Sequence, residues 1–188
     1  MNIPNFLTIL RIILGVIVPV LLLYGDLYSR MLAAVLFIIA GATDYLDGWY
    51  ARKYNLITKL GIILDPIADK IILLTCFIVL SSFTHLDVFS FWWVVPILLR
   101  EVLITVIRFV FLSKKKPLVL GSSMSGKAKT TIQFMTVSLA YFIFMFRYYG
   151  NIQPAFWIEF ILYALLIASL ILTLQSGWSF FSKNWKHL

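Results

Sequence analysis

Cysteine, histidine and acidic residues are all scarce in this chain of 188 residues. Cys76 is the only cysteine, so neither an intramolecular disulfide nor a multi-cysteine metal site is available. His85 and His187 are far apart in sequence, which gives a histidine-based metal centre little support. Charged residues make up 13% of the chain against 62% hydrophobic ones, far from the mix of a soluble domain. A soluble core of this size does not hide so many apolar side chains, so lipid is expected to cover much of the surface. Internal repeats, low-complexity runs and long linkers are absent too, and the length suits one domain over residues 1–188.

The formal charge is +8. A nucleic-acid binder presents such charge on a soluble face interleaved with exposed aromatics. Here Phe, Trp and Tyr lie inside long apolar runs, which argues against that class. The start, Met1-Asn-Ile-Pro-Asn-Phe-Leu-Thr-Ile-Leu-Arg11, has neither a basic n-region nor a small-residue cleavage site. It is expected to open the first membrane helix rather than to be a removable signal.

What is present is a set of long apolar stretches. Crossing ~30 Å of hydrocarbon takes about 20 helical residues, and six segments fit, at 5–24, 29–52, 58–83, 89–112, 128–147 and 154–176. The expected fold is therefore all-α, a polytopic membrane protein of six transmembrane helices. Each of the first four segments is cleanly apolar over half its length only, at 12–24, 31–42, 71–83 and 88–99. Consecutive spans alternate in direction, so all four polar halves fall on one side of the membrane. That pattern predicts a polar cavity open to one face, where buried ionisable groups are tolerated. The loops and tail on that side carry Arg52, Lys53, Lys59, Lys114, Lys115, Lys116, Lys127, Lys129, Lys183 and Lys186, against Arg30 and Arg147 opposite. Basic residues stay cytoplasmic, so both termini and the cavity are expected to face the cytoplasm.

Half of the eight acidic residues fall within 26 positions, in Asp44-Tyr-Leu-Asp47-Gly48-Trp-Tyr-Ala51-Arg52 and Gly61-Ile-Ile-Leu-Asp65-Pro-Ile-Ala-Asp69. Asp44 and Asp47 are spaced i, i+3 and Asp65 and Asp69 i, i+4, so each pair shares a helix face. With a turn near 54–57, Asp44 and Asp65 come to roughly 13–15 Å depth on neighbouring antiparallel helices. Bare carboxylates do not gather in this way, because two like charges 4 Å apart repel by about 4 kcal/mol at an effective dielectric near 20. Hard divalent cations remove the repulsion, and an all-carboxylate set favours Mg²⁺ or Mn²⁺ over zinc. Such a cluster suits a diphosphate, whose oxygens fill the open coordination positions. Gly48 and Gly61 allow close approach to the backbone, Arg52 offers a planar fork for phosphate oxygens, and Pro66 frees a carbonyl within the third span.

The spacing Asp44-x-x-Asp47-Gly48-x-x-Ala51-Arg52-x8-Gly61-x-x-x-Asp65-x-x-x-Asp69 resembles the complete signature of the CDP-alcohol phosphotransferases. The resemblance implies a homodimer, two divalent metal ions and a CDP-linked donor whose diphosphate bridges them. It further implies Asp44, Asp47, Asp65 and Asp69 as metal ligands, with Asp69 also the base that deprotonates the attacking hydroxyl. Gly48, Arg52, Thr58 and Gly61 would then serve the CDP moiety, with Asn5 and Thr8 closing over the nucleotide. The implied reaction is direct attack of an alcohol on the phosphorus bearing diacylglycerol, with release of CMP. No activated Ser, Cys or His nucleophile is evident for a covalent alternative.

Three further segments resemble the branch of that family whose acceptor is sn-glycerol 3-phosphate: Asn2-Ile-Pro-Asn-Phe-Leu-Thr-Ile-Leu-Arg11, Arg100-Glu101-Val-Leu-Ile-Thr-Val-Ile-Arg108 and Gly126-Lys127-Ala-Lys129-Thr130-Thr-Ile-Gln133. An anionic acceptor needs cations in the cavity, and Arg108, Lys127 and Lys129 are the candidates. Lys114–116 read instead as a positive-inside cluster near anionic headgroups. Phosphatidylglycerol, serine or inositol phosphate are alternative acceptors, and a divalent-cation transporter is the alternative of another class. The transporter reading needs polar paths to both faces, whereas the outer halves of spans one to four are apolar.

Overall fold

The computed structural model describes the backbone of residues 3–53, 59–83, 91–113, 124–150 and 155–184. It describes side chains at 6–43, 64, 67–83, 92–107, 109–111, 128–150, 155–182 and 184. Six helices account for nearly all of this, α1 (Ile3–Tyr24), α2 (Leu27–Lys53), α3 (Lys59–Ser81), α4 (Phe91–Ser113), α5 (Met124–Tyr149) and α6 (Phe156–Asn184). There is no strand among the described residues. The helices correspond one to one with the six predicted segments. The largest departure is α6, which continues eight residues past the predicted end at 176.

The chain forms two compact units, residues Met1–Phe83 and Thr84–Leu188. In the first, α1 packs against both α2 and α3. Its inward face is Thr8, Arg11, Leu14, Gly15, Val18 and Leu22, a spacing of three and four that keeps one side of a helix in contact. Ala33, Phe37 and Ala40 of α2 and Ala68, Ile72, Cys76, Phe77 and Leu80 of α3 complete that interior. The opposite faces are just as apolar but exposed, with Ile13, Val16, Ile17 and Val20 on α1 and Met31, Leu32, Val35 and Ile38 on α2. Helices that are hydrophobic all round belong in a membrane.

Small residues and a proline set how closely α1 meets α3. A Cβ on Gly15 would come within 2.6 Å of Ile71 Cγ2 and 3.2 Å of the Ile72 backbone nitrogen, so only glycine permits this approach. Pro19 lies inside α1 and has no N–H to give the carbonyl four residues earlier. That carbonyl belongs to Gly15, and Thr75 Oγ1 of α3 stands 3.1 Å from it. The same hydroxyl lies 2.7 Å from the Ile71 carbonyl, so its single proton is shared.

The turn between α1 and α2 is fixed from both sides. Gly25 N donates to Leu21 O at 2.9 Å, closing α1. Asp26 caps α2, its carboxylate accepting from Ser29 N at 3.0 Å. Arg30 is buried, donates to Leu23 O at 3.4 Å and lies 5.6 Å from the centre of the Phe83 ring. A basic side chain thereby satisfies a terminal carbonyl of α1.

In the second unit, α6 packs against both α4 and α5. Val94, Ile97 and Ile104 of α4, Val137, Ala140, Ile143 and Phe144 of α5, and Leu162 and Leu166 of α6 make the apolar interior. Buried polar groups concentrate in the first half of α5, at Lys129, Gln133 and Thr136, and from the middle of α6 onward, at Ser169, Thr173, Ser176 and Asn184. The hydrogen bond from Gln133 Nε2 to Thr173 Oγ1, at 3.2 Å, fixes that pairing. Arg147 and Glu159 pair across the other ends of α5 and α6.

The protein is an all-α membrane protein. Among the described residues three helices are long and apolar enough to cross a bilayer, Phe6–Tyr24, Ala128–Tyr149 and Phe156–Ser182, with mean hydropathies of 2.7, 1.2 and 2.2. The apolar part of α2, Leu27–Thr43, is shorter.

Candidate active site

Contacts within the first unit set a register between its helices. Gly15 meets Ile71 and Thr75, and Arg11 meets Asp69, so α1 and α3 run in the same direction. The two-residue turn and the contact of Arg30 with Leu23 make α1 and α2 an antiparallel hairpin. Continued at 1.5 Å rise per residue, this register brings Asp44 and Asp47 level with about residues 9 and 6 of α1. Asp65 and Asp69 come level with about residues 7 and 11 on the same basis. The backbones of all four aspartates therefore come level with about residues 6–11 of α1, the stretch that contains Thr8 and Arg11.

Of the predicted site residues, Asp69, Thr8 and Lys129 have described side chains. Those of Asn5, Asp44, Asp47, Gly48, Arg52, Gly61, Asp65, Arg108 and Lys127 lie outside the described side chains, and Thr58 lies outside the described residues. By backbone position Asp44, Asp47, Gly48 and Arg52 belong to α2, Gly61 and Asp65 to α3, Arg108 to α4 and Lys127 to α5.

Arg11 is the residue that sequence reasoning passed over. Its side chain is 1% exposed, and Nη1 donates to Asp69 Oδ1. Asp69 itself keeps 32% of its side chain exposed, so the carboxylate is held by Arg11 yet remains accessible. Thr8, one turn earlier on the same face, is also 1% exposed. The available signal was a lone arginine in an apolar run, since a charge with an insertion cost of a few kcal/mol needs a partner.

Lys129 is not a freestanding cation. It is buried and pairs with Glu101, which is 2% exposed. Arg100 also donates to Glu101, at 3.1 Å, and to Ser176 Oγ at 2.8 Å. A Cβ on Gly177 would stand 3.3 Å from Arg100 Nε, so glycine makes the room in which that guanidinium lies. Two cations on one buried carboxylate tie α4 to α5 and α6. Lys127 and Lys129 are two apart on α5, and helical positions two apart do not share a face.

The donor chemistry fits hard cations. Asp44, Asp47, Asp65 and Asp69 offer oxygen only, and the one sulfur nearby in sequence, Cys76, is buried in the apolar core. Among the described residues no three His, Cys, Asp or Glu side chains gather at one point.

A family model described as CDP-alcohol phosphatidyltransferase matches residues 1–178. The chain belongs to this family. A Bacillus subtilis (strain 168) protein named CDP-diacylglycerol–glycerol-3-phosphate 3-phosphatidyltransferase is 35% identical over 100% of this chain and 97% of its own length. Proteins of the same name from Salmonella choleraesuis and Shigella flexneri are each 32% identical, over 93% of this chain and 90% of theirs. The match to the CDP-alcohol phosphatidyltransferase family covers all of the first compact unit, most of the second, and every predicted site residue.

Proposed function

We propose that this protein transfers a phosphatidyl group from CDP-diacylglycerol to sn-glycerol 3-phosphate, giving phosphatidylglycerophosphate and CMP. The observation that carries the reading is the complete aspartate spacing on α2 and α3, in a chain similar over its whole length to proteins named for that reaction. Nothing in those relatives favours a cation transporter.

Residues 1–188 act as one catalytic domain. Asp44, Asp47, Asp65 and Asp69 would hold two divalent ions, Mg²⁺ or Mn²⁺, which when bound draw charge from the donor diphosphate. Asn5, Thr8, Gly48, Arg52, Thr58 and Gly61 hold the CDP moiety. Asp69 takes the proton of the acceptor hydroxyl, and the freed oxygen forms a bond to the phosphorus bearing diacylglycerol. The bond from that phosphorus to the CMP oxygen breaks, and CMP leaves with the electron pair. Arg108, Lys127 and Lys129 receive the acceptor phosphate, with Lys129 also paired to Glu101.

The six helices span the cell membrane, with both termini and the site on the cytoplasmic side. The excess of basic residues in the loops of that side supports this orientation. The working form is a homodimer. The test is CMP release by purified protein given CDP-diacylglycerol and a panel of acceptors. Glycerol 3-phosphate should be preferred over phosphatidylglycerol, glycerol, serine and inositol phosphate, and preference for an uncharged alcohol would remove the acceptor assignment.

A further inference from the structure

A fully buried arginine in an apolar helix is costly, so its partner indicates what it is for. Arg11 is among the largest fully buried side chains of the protein. It reaches across from α1 to one carboxylate oxygen of Asp69 on α3. One turn further along α1, Gly15 locks the two helices together against Ile71 and Thr75. The arginine is thus one turn from a close α1–α3 crossing and directed at a carboxylate that remains one-third exposed.

We infer that Arg11 is a positioning residue for Asp69, and that it also serves as a resident counter-cation of the carboxylate layer. The inference rests on the reading of Asp69 as metal ligand and base. Two roles follow from one contact. By occupying Oδ1, the guanidinium fixes the carboxylate plane, so Asp69 meets the acceptor hydroxyl in a single orientation. By bringing one positive charge to a layer of four aspartates, it lowers their mutual repulsion when no metal is bound. The two roles act oppositely on two measurable quantities. Loss of the arginine loosens Asp69 both as base and as ligand, yet it leaves the layer more negative, which offsets the loss for a divalent cation but not for the chemical step. Damage to the fold in general would weaken both together.

The experiment uses the full-length protein in detergent micelles with lipid, and compares wild type with Arg11→Gln and Arg11→Lys. Mn²⁺ binding is read by electron paramagnetic resonance without substrates, and kcat and KM are read from CMP release with CDP-diacylglycerol and glycerol 3-phosphate. Arg11→Gln should lower kcat about ten- to a hundredfold, leave both KM values within about threefold, and weaken Mn²⁺ binding by clearly less than it lowers kcat. Arg11→Lys, which keeps the charge without the planar fork, should recover part of kcat. Unchanged kcat in Arg11→Gln, or Mn²⁺ binding lost in parallel with kcat, would overturn the inference. If Arg11→Gln does not fold, the double variant Arg11→Gln/Asp69→Asn removes both charges and should fold; failure of the double variant would equally overturn it. Absence of Mn²⁺ binding by the wild-type protein would instead remove the metal reading beneath the inference.

Discussion

Thr75 Oγ1 stands 3.1 Å from the carbonyl oxygen of Gly15, the carbonyl that Pro19 deprives of its helical donor. The proline in α1 and the threonine in α3 are complementary, and the absent side chain at Gly15 lets the helices come close enough to meet. Replacing Gly15 by Leu should overpack this crossing and destabilise the protein by about 1–3 kcal/mol. Thr75→Val should cost less, about 1 kcal/mol, because its proton is already shared with the Ile71 carbonyl. Thermal unfolding of the purified variants in detergent checks both. A wild-type midpoint for Gly15→Leu would show that the helices do not touch there.

Glu101 stands between Arg100 and Lys129 in the interior of the second unit. Glu101→Gln removes that carboxylate from two buried cations and should destabilise the protein by about 3–5 kcal/mol. The double variant Glu101→Gln/Lys129→Met should recover a large part of the loss. A double-mutant cycle on unfolding free energies measures the coupling, and simple additivity would argue against a direct pair.

Asp69→Asn should lower kcat by about 10²–10⁴-fold, the usual cost of losing a general base. The amide cannot take up the hydroxyl proton, whereas CDP-diacylglycerol should still bind. Equilibrium donor binding alongside CMP release separates the two, and near-wild-type turnover would remove the role assigned to Asp69.

Chelation offers an independent check. EDTA should abolish CMP release and added Mg²⁺ or Mn²⁺ should restore it, whereas Ca²⁺, with longer and looser coordination, should restore little. Full activity after exhaustive chelation and metal-free dialysis would exclude the role given to the four aspartates.

Asp26, in the turn between α1 and α2, is held below its ordinary value of 3.8 chiefly by hydrogen bonds from Ser29. A depressed carboxylate stabilises the folded state above its unfolded pKa, and that contribution is lost as pH falls through the folded value. The first turn of α2 should therefore fray below about pH 3.8. Amide hydrogen exchange at Ser29 and Arg30 should accelerate there in wild type and be fast at all pH values in Asp26→Ala.

Six helices were legible from hydropathy because lipid leaves a segment about 20 residues long few other ways to satisfy its backbone. The sixth predicted span ends at 176, and Ser179, Ser182 and Lys183 dilute the apolar pattern beyond it, yet the helix continues to Asn184. Backbone bonding persists where hydropathy ends. The aspartate pairs were legible because spacings of three and four encode a shared helix face. Arg11 was not, since its partner lies 58 residues away and only the crossing at Gly15 determines which residue it meets. Sequence alone makes Lys129 a candidate for the acceptor phosphate, and its pairing with Glu101, 28 residues away, is equally a matter of tertiary packing.

Phosphatidyl transfer itself is tested most directly by following radiolabelled glycerol 3-phosphate into the lipid phase. Purified protein with CDP-diacylglycerol and Mg²⁺ should make chloroform-extractable label appear mole for mole with free CMP. CMP released without label in lipid would mean hydrolysis rather than transfer, and no CMP under any metal condition would contradict the proposed activity outright.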